Sequence, residues 1–209
     1  MQKRKQGQLI QFDGHTVVVG LTRCGKTWAV KESLKGQKNG TLFFNPQMEL
    51  FGEDFVSADG SSQIGRIKDA IEQGYKVNFI PSTDLERQSL QLAFLIKSLY
   101  DGCTRDMILV VDEVHLFTAK EVKRELIRVA TTGLRFGIRG VWISQRPAEI
   151  FNTLMTQSNK FVIFKTNMES NYFDRYRIPG EEIAQRIKAG GLYSYCTFDW
   201  SEVQGPFKV

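Results

Sequence analysis

The sequence predicts a three-layer α/β domain with a mostly parallel central sheet flanked by helices. Two observations predict it. Short apolar runs recur between longer amphipathic stretches, and several of the runs are continuously apolar rather than alternating. Continuous runs suit strands covered on both faces, and strand–helix alternation implies parallel crossovers.

The runs occupy residues 16–19, 42–44, 77–80, 107–111, 141–143 and 161–164. The helical patterns lie between them, and the first, 27–34, follows the first run directly. Residues 64–73 end at Gly74, a C-capping signal. A Thr83-Asp84 capping signal opens 84–100, which carries Leu92, Leu95, Ile96 and Leu99 on one face. Helical patterns at 120–132 and 149–157 follow later runs. Residues 49–62 lack periodicity and read as a surface loop. Residues 190–209 read as an extended tail, with 192–198 as an edge strand. No internal repeat or linker interrupts the chain, which reads as one domain over 1–209 with a basic N-terminal segment at 1–13.

Composition narrows the class. Of the 209 residues, 42% are hydrophobic and 24% charged, as in a globular protein with a full core. No run approaches the ~18 apolar residues of a membrane span, and residues 1–8 are polar and basic, unlike a signal peptide. A soluble, cytoplasmic protein is the expectation. The three cysteines, Cys24, Cys103 and Cys196, are scattered and there are only two histidines. Neither a disulfide framework nor a zinc site is expected. The net charge of +5 favours polyanions, although a solvated basic surface would give the same figure.

Gly20-Leu21-Thr22-Arg23-Cys24-Gly25-Lys26-Thr27 matches the phosphate-loop pattern G-x-x-x-x-G-K-[ST] in full, after a strand and before a helix. The glycines permit a tight turn whose N–H groups face phosphates, and the helix N-terminus adds its dipole. Lys26 would place its charge on the β- and γ-phosphates, and Thr27 would offer its hydroxyl to Mg²⁺. The nucleotide-binding set is Gly20 to Thr27 with the following Trp28. Cys24 occupies a variable position of the loop and is assigned no chemistry of its own. The run 107–111 leads into Asp112-Glu113. Asp112 would hold Mg²⁺ through water, and Glu113 would act as general base on the attacking water. A strand ending in ordinary solvated acids is the plainer alternative, weakened by the complete phosphate loop. Asp-Glu favours hydrolysis over transfer to an acceptor. His115 completes Asp-Glu-Val-His, as in DExH helicases, but those carry two tandem ATPase units, more than 209 residues hold. At the tip of the run 141–143, Gln145 fits a γ-phosphate sensor.

Together Gly20–Thr27, 107–113, Leu134-Arg135-Phe136-Gly137 and Ser144-Gln145-Arg146-Pro147 resemble the FtsK–HerA superfamily of DNA-translocating ATPases, over residues 14–165. The resemblance implies a RecA-like P-loop fold, ATP and Mg²⁺ as cofactors, and a homo-oligomeric ring, hexamer or pentamer, acting on double-stranded DNA. It also implies an arginine finger donated to a neighbour's site, with Arg135 as first candidate and Arg139 and Arg146 behind it. The catalytic set is then Glu113, Lys26, Gln145 and Arg135. Lacking a membrane-spanning N-terminus and an N-terminal β-barrel, the sequence resembles the genome-packaging ATPases of viruses with internal membranes, which would dock on a capsid or virion membrane protein.

Lys120, Lys123, Arg124 and Arg128 cluster on one side of the 120–132 helix, opposite Val122, Leu126 and Val129. They could track DNA phosphates, or form a solvated face paired with Glu121 and Glu125. Two other readings remain open beside packaging. One is a DNA pump for conjugation, DNA processing or phage export; the other is an ATP-dependent switch or assembly factor that moves no DNA.

Overall fold

The computed structural model describes residues 9–48, 51–60, 62–101, 106–167 and 169–209. One sheet of nine strands runs through it in the order β3-β4-β2-β5-β6-β1-β7-β8-β9. Its parallel part comprises β1 (Thr16–Val19), β2 (Gly40–Phe44), β3 (Phe55–Asp59), β4 (Lys76–Ile80), β5 (Met107–Val111), β6 (Ile138–Ser144) and β7 (Lys160–Phe164). Two further strands, β8 (Ser194–Phe198) and β9 (Val203–Lys208), add on antiparallel beyond β7.

Every residue of β1, β2 and β5 is buried, which is why these strands read as continuous apolar runs. Alternate residues feed two cores. Val17, Val19, Leu42, Phe44, Leu109 and Val111 join the larger one. There they meet α2 (Ile64–Glu72), α3 (Leu85–Tyr100), α4 (Lys120–Thr132), α5 (Asn152–Thr156), α6 (Asn171–Asp174) and α7 (Gly180–Gly190). Val18, Phe43, Ile108 and Val110 face the other way, onto Ala29, Val30 and Leu34 of α1 (Lys26–Lys35). Ile10 and Phe12 pack into that second core, and Ile10 N–H donates to Ser33 Oγ at 2.9 Å. Residues 1–8 of the basic segment lie outside the described residues.

The helix expectations are met closely at three places. Asp84 accepts a hydrogen bond from Arg87 N–H at 2.8 Å and so caps α3. Gly74, at φ 87°, follows α2 and donates to Ile71 O at 2.9 Å. The α4 bounds coincide with the expected 120–132.

Elsewhere the structure corrects the sequence reading. Within the expected loop 49–62 lies β3, an edge strand beside β4. Only Phe55 of β3 is buried, so no apolar alternation marks it. The single helix expected at 149–157 is a 3₁₀ turn at Pro147–Glu149 followed by α5, because Ile150 and Phe151 run extended between them. The tail is a β-hairpin rather than one edge strand. Its β8 lies between β7 and β9, and the edge falls to β9. A turn fastened by Asp199 Oδ1, which accepts from Ser201 N–H and Oγ–H at 3.2 and 2.6 Å, joins the two. Helices α6 and α7 had no counterpart among the expected elements.

Where β2 begins, the chain passes so close to α2 that a β-carbon on Gly40 would sit 1.9 Å from the Ile71 carbonyl oxygen. Gly40→Ala should therefore destabilise the protein by about 1–3 kcal/mol. Denaturant unfolding measures it; a stability equal to wild type would show that α2 can move off the strand without cost.

Candidate functional site

The C-terminal ends of β1, β5 and β6 lie side by side, and the motif residues follow directly from them. After Val19 the chain turns through the phosphate loop into α1. The loop is moored on both sides: Gly20 N–H donates to Ser144 O at 3.3 Å and Leu21 N–H to Lys165 O at 2.8 Å. Gly25 takes φ 97°, a conformation open to glycine, and its carbonyl accepts the first helical bond from Ala29 at 2.8 Å. Lys26 is buried, and its ammonium reaches back across the loop to Gly20 O at 2.9 Å and Leu21 O at 2.8 Å. The Cys24 thiol is buried, and burial pushes its pKa up.

Asp112 is 2% exposed at the end of β5, and its Oδ2 accepts from Thr27 Oγ1 at 3.2 Å. Burial, with the neighbouring Glu113 charge, raises its pKa to about 7. Thr27 and Asp112 thus present hard oxygen donors to one point, and burial disfavours the Asp112 charge in the absence of a cation. Those groups fit Mg²⁺, which takes few protein ligands and completes its shell with phosphate and water. Glu113 adopts a left-handed backbone, φ 50°, and its N–H donates to Asp112 Oδ1 at 2.9 Å. That turn sends its side chain away from Asp112 toward β6. Its Oε2 lies 3.3 Å from His115 Nδ1, but the contact is poorly directed, and this buried oxygen has no hydrogen bond. His115 Nδ1 instead shares a hydrogen bond with Ser144 Oγ at 3.0 Å, and Ser144 Oγ accepts from Arg146 N–H at 2.9 Å. Burial holds the His115 pKa below its ordinary value, so the ring is neutral at neutral pH.

Gln145 Oε1 accepts from the Thr22 hydroxyl and so ties the tip of β6 to the phosphate loop. These groups surround one cavity of about 550 Å³. It is lined by Thr22, Arg23, Gly25 to Trp28, Asp112, Glu113 and Gln145, and also by Gln47, Tyr193 and Val209. The last three were missed in the sequence. Gln47 follows β2 at the same edge of the sheet, a position any strand–loop reading offers; Tyr193 and Val209 arrive by long-range folding alone. A second cavity of about 550 Å³, mostly apolar, lies between β7, α6 and α7 and contains none of the motif residues.

Other candidates stand apart. Arg135 is exposed in a 3₁₀ turn, Gly133–Phe136, that precedes β6. The seven residues of β6 separate it from Gln145, roughly 20 Å along the strand. Arg139 pairs with Asp106 at 2.6 Å and Arg146 with Glu149 at 3.0 Å. On α4, Arg124 and Arg128 flank the buried Glu125 at 3.2 and 3.5 Å. Arg128 also stacks 3.8 Å over the Tyr100 ring, and Lys123 lies 4.9 Å over that of Phe151. Lys120 is exposed at the start of the helix.

No protein-family model matches the chain. In sequence it is 31% identical over 80 residues to a probable helicase of Methanocaldococcus jannaschii, covering 34% of this chain. It spans only 15% of that relative's length. In structure it is similar to the genome-packaging NTPase B204 of Sulfolobus turreted icosahedral virus 2 in complex with AMP. That match has a TM-score of 0.65 and 16% identity, and covers 96% of this chain and 100% of the other. EssC of Geobacillus thermodenitrificans (ATPases 2 and 3) matches with a TM-score of 0.54 and 14% identity, covering 94% of this chain and 40% of that one. The chain has the α/β fold of these P-loop NTPases.

Asp112 gives the site a pH signature. Its carboxyl binds a proton more tightly in the fold, at about 7, than in the unfolded chain, near 3.8. Between those values the folded state holds the extra proton. The contribution of Asp112 to the stability of the protein without nucleotide or Mg²⁺ is therefore full below about pH 4 and is lost as pH rises through about 7. Asp112→Asn should raise the melting temperature, by a margin that widens from pH 5 to pH 7 and then levels. Melting curves across that range check it; a variant no more stable than wild type at pH 8 would mean that the carboxylate is well solvated.

Proposed function

We propose that this chain is a Mg²⁺-dependent ATPase that moves double-stranded DNA, working as a homo-oligomeric ring that packages a viral genome into a capsid. One observation carries the hydrolytic part. Lys26, Thr27, Asp112, Glu113 and Gln145 come from three different strand ends yet line one cavity. Phosphates bound at the N-terminus of α1 would meet the Lys26 ammonium and the loop's N–H groups. Mg²⁺, held through Thr27 and Asp112, would neutralise charge on the β- and γ-phosphates. Glu113 then has an oxygen free of directed hydrogen bonds to accept a proton from the attacking water, as the bond from the γ-phosphorus to the bridging oxygen breaks. Gln145 stands beside it to orient that water.

The translocation part rests on the likeness to a genome-packaging NTPase over nearly the whole of both chains. It rests also on the place of Arg135, which is far from its own cavity and exposed, as an arginine serving a neighbour's site must be. Among the described residues no helix is long and apolar enough to cross a membrane. We place the protein in the host cytoplasm, docked on the capsid while it works. One observation favours a second reading, an ATP-dependent switch or assembly factor that moves no DNA: Arg124, Arg128 and Lys123 of α4 are engaged with Glu125, Tyr100 and Phe151.

ATP turnover measured against protein concentration, with and without long double-stranded DNA, tests both. Turnover per subunit should rise steeply with concentration or DNA. Glu113→Gln should lower it about 10²- to 10⁴-fold, and Arg135→Ala on the order of 10³-fold. Mixing the two inactive variants should restore part of the activity, since a Glu113→Gln subunit can lend its Arg135 to the intact site of an Arg135→Ala neighbour. A low rate that ignores concentration, DNA and mixing would sink the ring motor and leave the switch.

A further inference from the structure

Part of the wall of the phosphate cavity comes from the two ends of the β8–β9 hairpin, Tyr193 just before β8 and Val209 just after β9, and that part has an unusual construction. Tyr193 holds φ 62°, a left-handed backbone that is an outlier for a bulky side chain. Gly191, two residues earlier, is at φ 78°. The conformation is pinned from the far side of the hairpin, where Val209 N–H donates to Tyr193 O at 3.1 Å. Val209 in turn packs on the phosphate loop: a β-carbon on Gly25 would lie 3.2 Å from Val209 Cγ1. Tyr193 is 48% exposed, so core packing does not account for the strain. Trp28, on the first turn of α1, lines the same cavity and is 52% exposed. Two partly exposed aromatic residues therefore line it. Backbone strain held against an open aromatic ring is what a ligand clamp requires.

We propose that Tyr193 forms the base subsite of this cavity, with the purine of a bound nucleoside triphosphate stacked on its ring and Trp28 lining the opposite side. The inference rests on the nucleotide reading of the cavity and adds to it the residue that holds the non-phosphate end. The phosphates would occupy Gly25 to Thr27, directly before Trp28 in the chain, so the nucleoside would leave the loop between the two rings. Stacking needs only a π-face, so Tyr193 supplies affinity for an aromatic base without reading its edge.

The test is calorimetric titration, with Mg²⁺, of ATP and of inorganic triphosphate into wild type, Tyr193→Gly and Tyr193→Phe. Glycine removes the ring and suits the left-handed backbone, so the hairpin keeps its shape. Tyr193→Gly should lose about 5- to 100-fold in ATP affinity and keep its triphosphate affinity within about twofold. Tyr193→Phe should match wild type for both. The subsite is overturned if Tyr193→Gly binds ATP as wild type does, or loses both ligands equally. A wild-type protein that binds neither ATP nor triphosphate overturns the nucleotide reading itself, and the subsite with it.

Discussion

The site depends on one fact of strand order: β6 stands between β1 and β5. The phosphate loop leaves β1 and the acidic pair leaves β5, so the two motifs sit two strand spacings apart, roughly 10 Å. That gap leaves room for phosphate and a cation, yet single side chains still span it. Thr27 reaches across to Asp112 at 3.2 Å. The tip of β6 fills the middle, where Gln145 binds Thr22 and Ser144 binds His115. If β5 lay directly beside β1, the acids would crowd the loop. With two strands between them, no threonine hydroxyl would reach an aspartate. Parallel pairing of all three strands then brings every one of these groups to the same edge of the sheet.

The electrostatics follow from that crowding. Two carboxylates adjacent in sequence end a fully buried strand, and the left-handed turn at Glu113 keeps them from pointing the same way. Asp112 is turned in to Thr27 and Lys26, where its charge is costly until a cation shares the site. Glu113 is turned out toward His115 and β6, where a neutral imidazole borders it without forming an ion pair. Two acids of like chemistry are thereby given different surroundings, the division that the proposed cation-holding and proton-accepting roles would need. The Lys26 ammonium, meanwhile, is satisfied by loop carbonyls rather than by either acid. Its charge therefore stays within the loop and is not paired off by an acid.

How much of this the sequence disclosed depended on burial. Strands β1, β2 and β5 are covered on both faces and so appear as unbroken apolar runs. The phosphate loop and the acids sit at their ends, where a linear pattern locates them. The edges of the sheet gave no such signal. In β3 only Phe55 is buried, and β9 is interrupted by Gly205 and Pro206 and mostly half-exposed, so neither carries a readable period. Tyr193 and Val209 depend on a bond between residues 16 apart, Val209 N–H to Tyr193 O, and on the packing of Val209 against Gly25. No local pattern encodes a contact made by closing the chain on itself, and that part of the cavity wall was invisible until the fold was known.

The α4 helix carries a legible pattern with two readings, charge held for an anion or a solvated face paired with acids, and the contacts of its basic residues bear on both. A row of basic residues opposite an apolar stripe looks like charge held ready for an anion. Yet Glu125, on the same helix, is 3% exposed, and a buried carboxylate is tenable only with partners. Arg124 and Arg128 supply them, and Arg128 spends its guanidinium face on Tyr100 as well. Those charges serve first to pack α4 against α3. The charge that reaches solvent without such duty among the α4 bases is concentrated at Lys120, at the end of the helix that follows the acidic pair. Lys123, Arg124 and Arg128 stay exposed as well, so a polyanion that approaches this face meets all four bases, three of them already held in place by a partner.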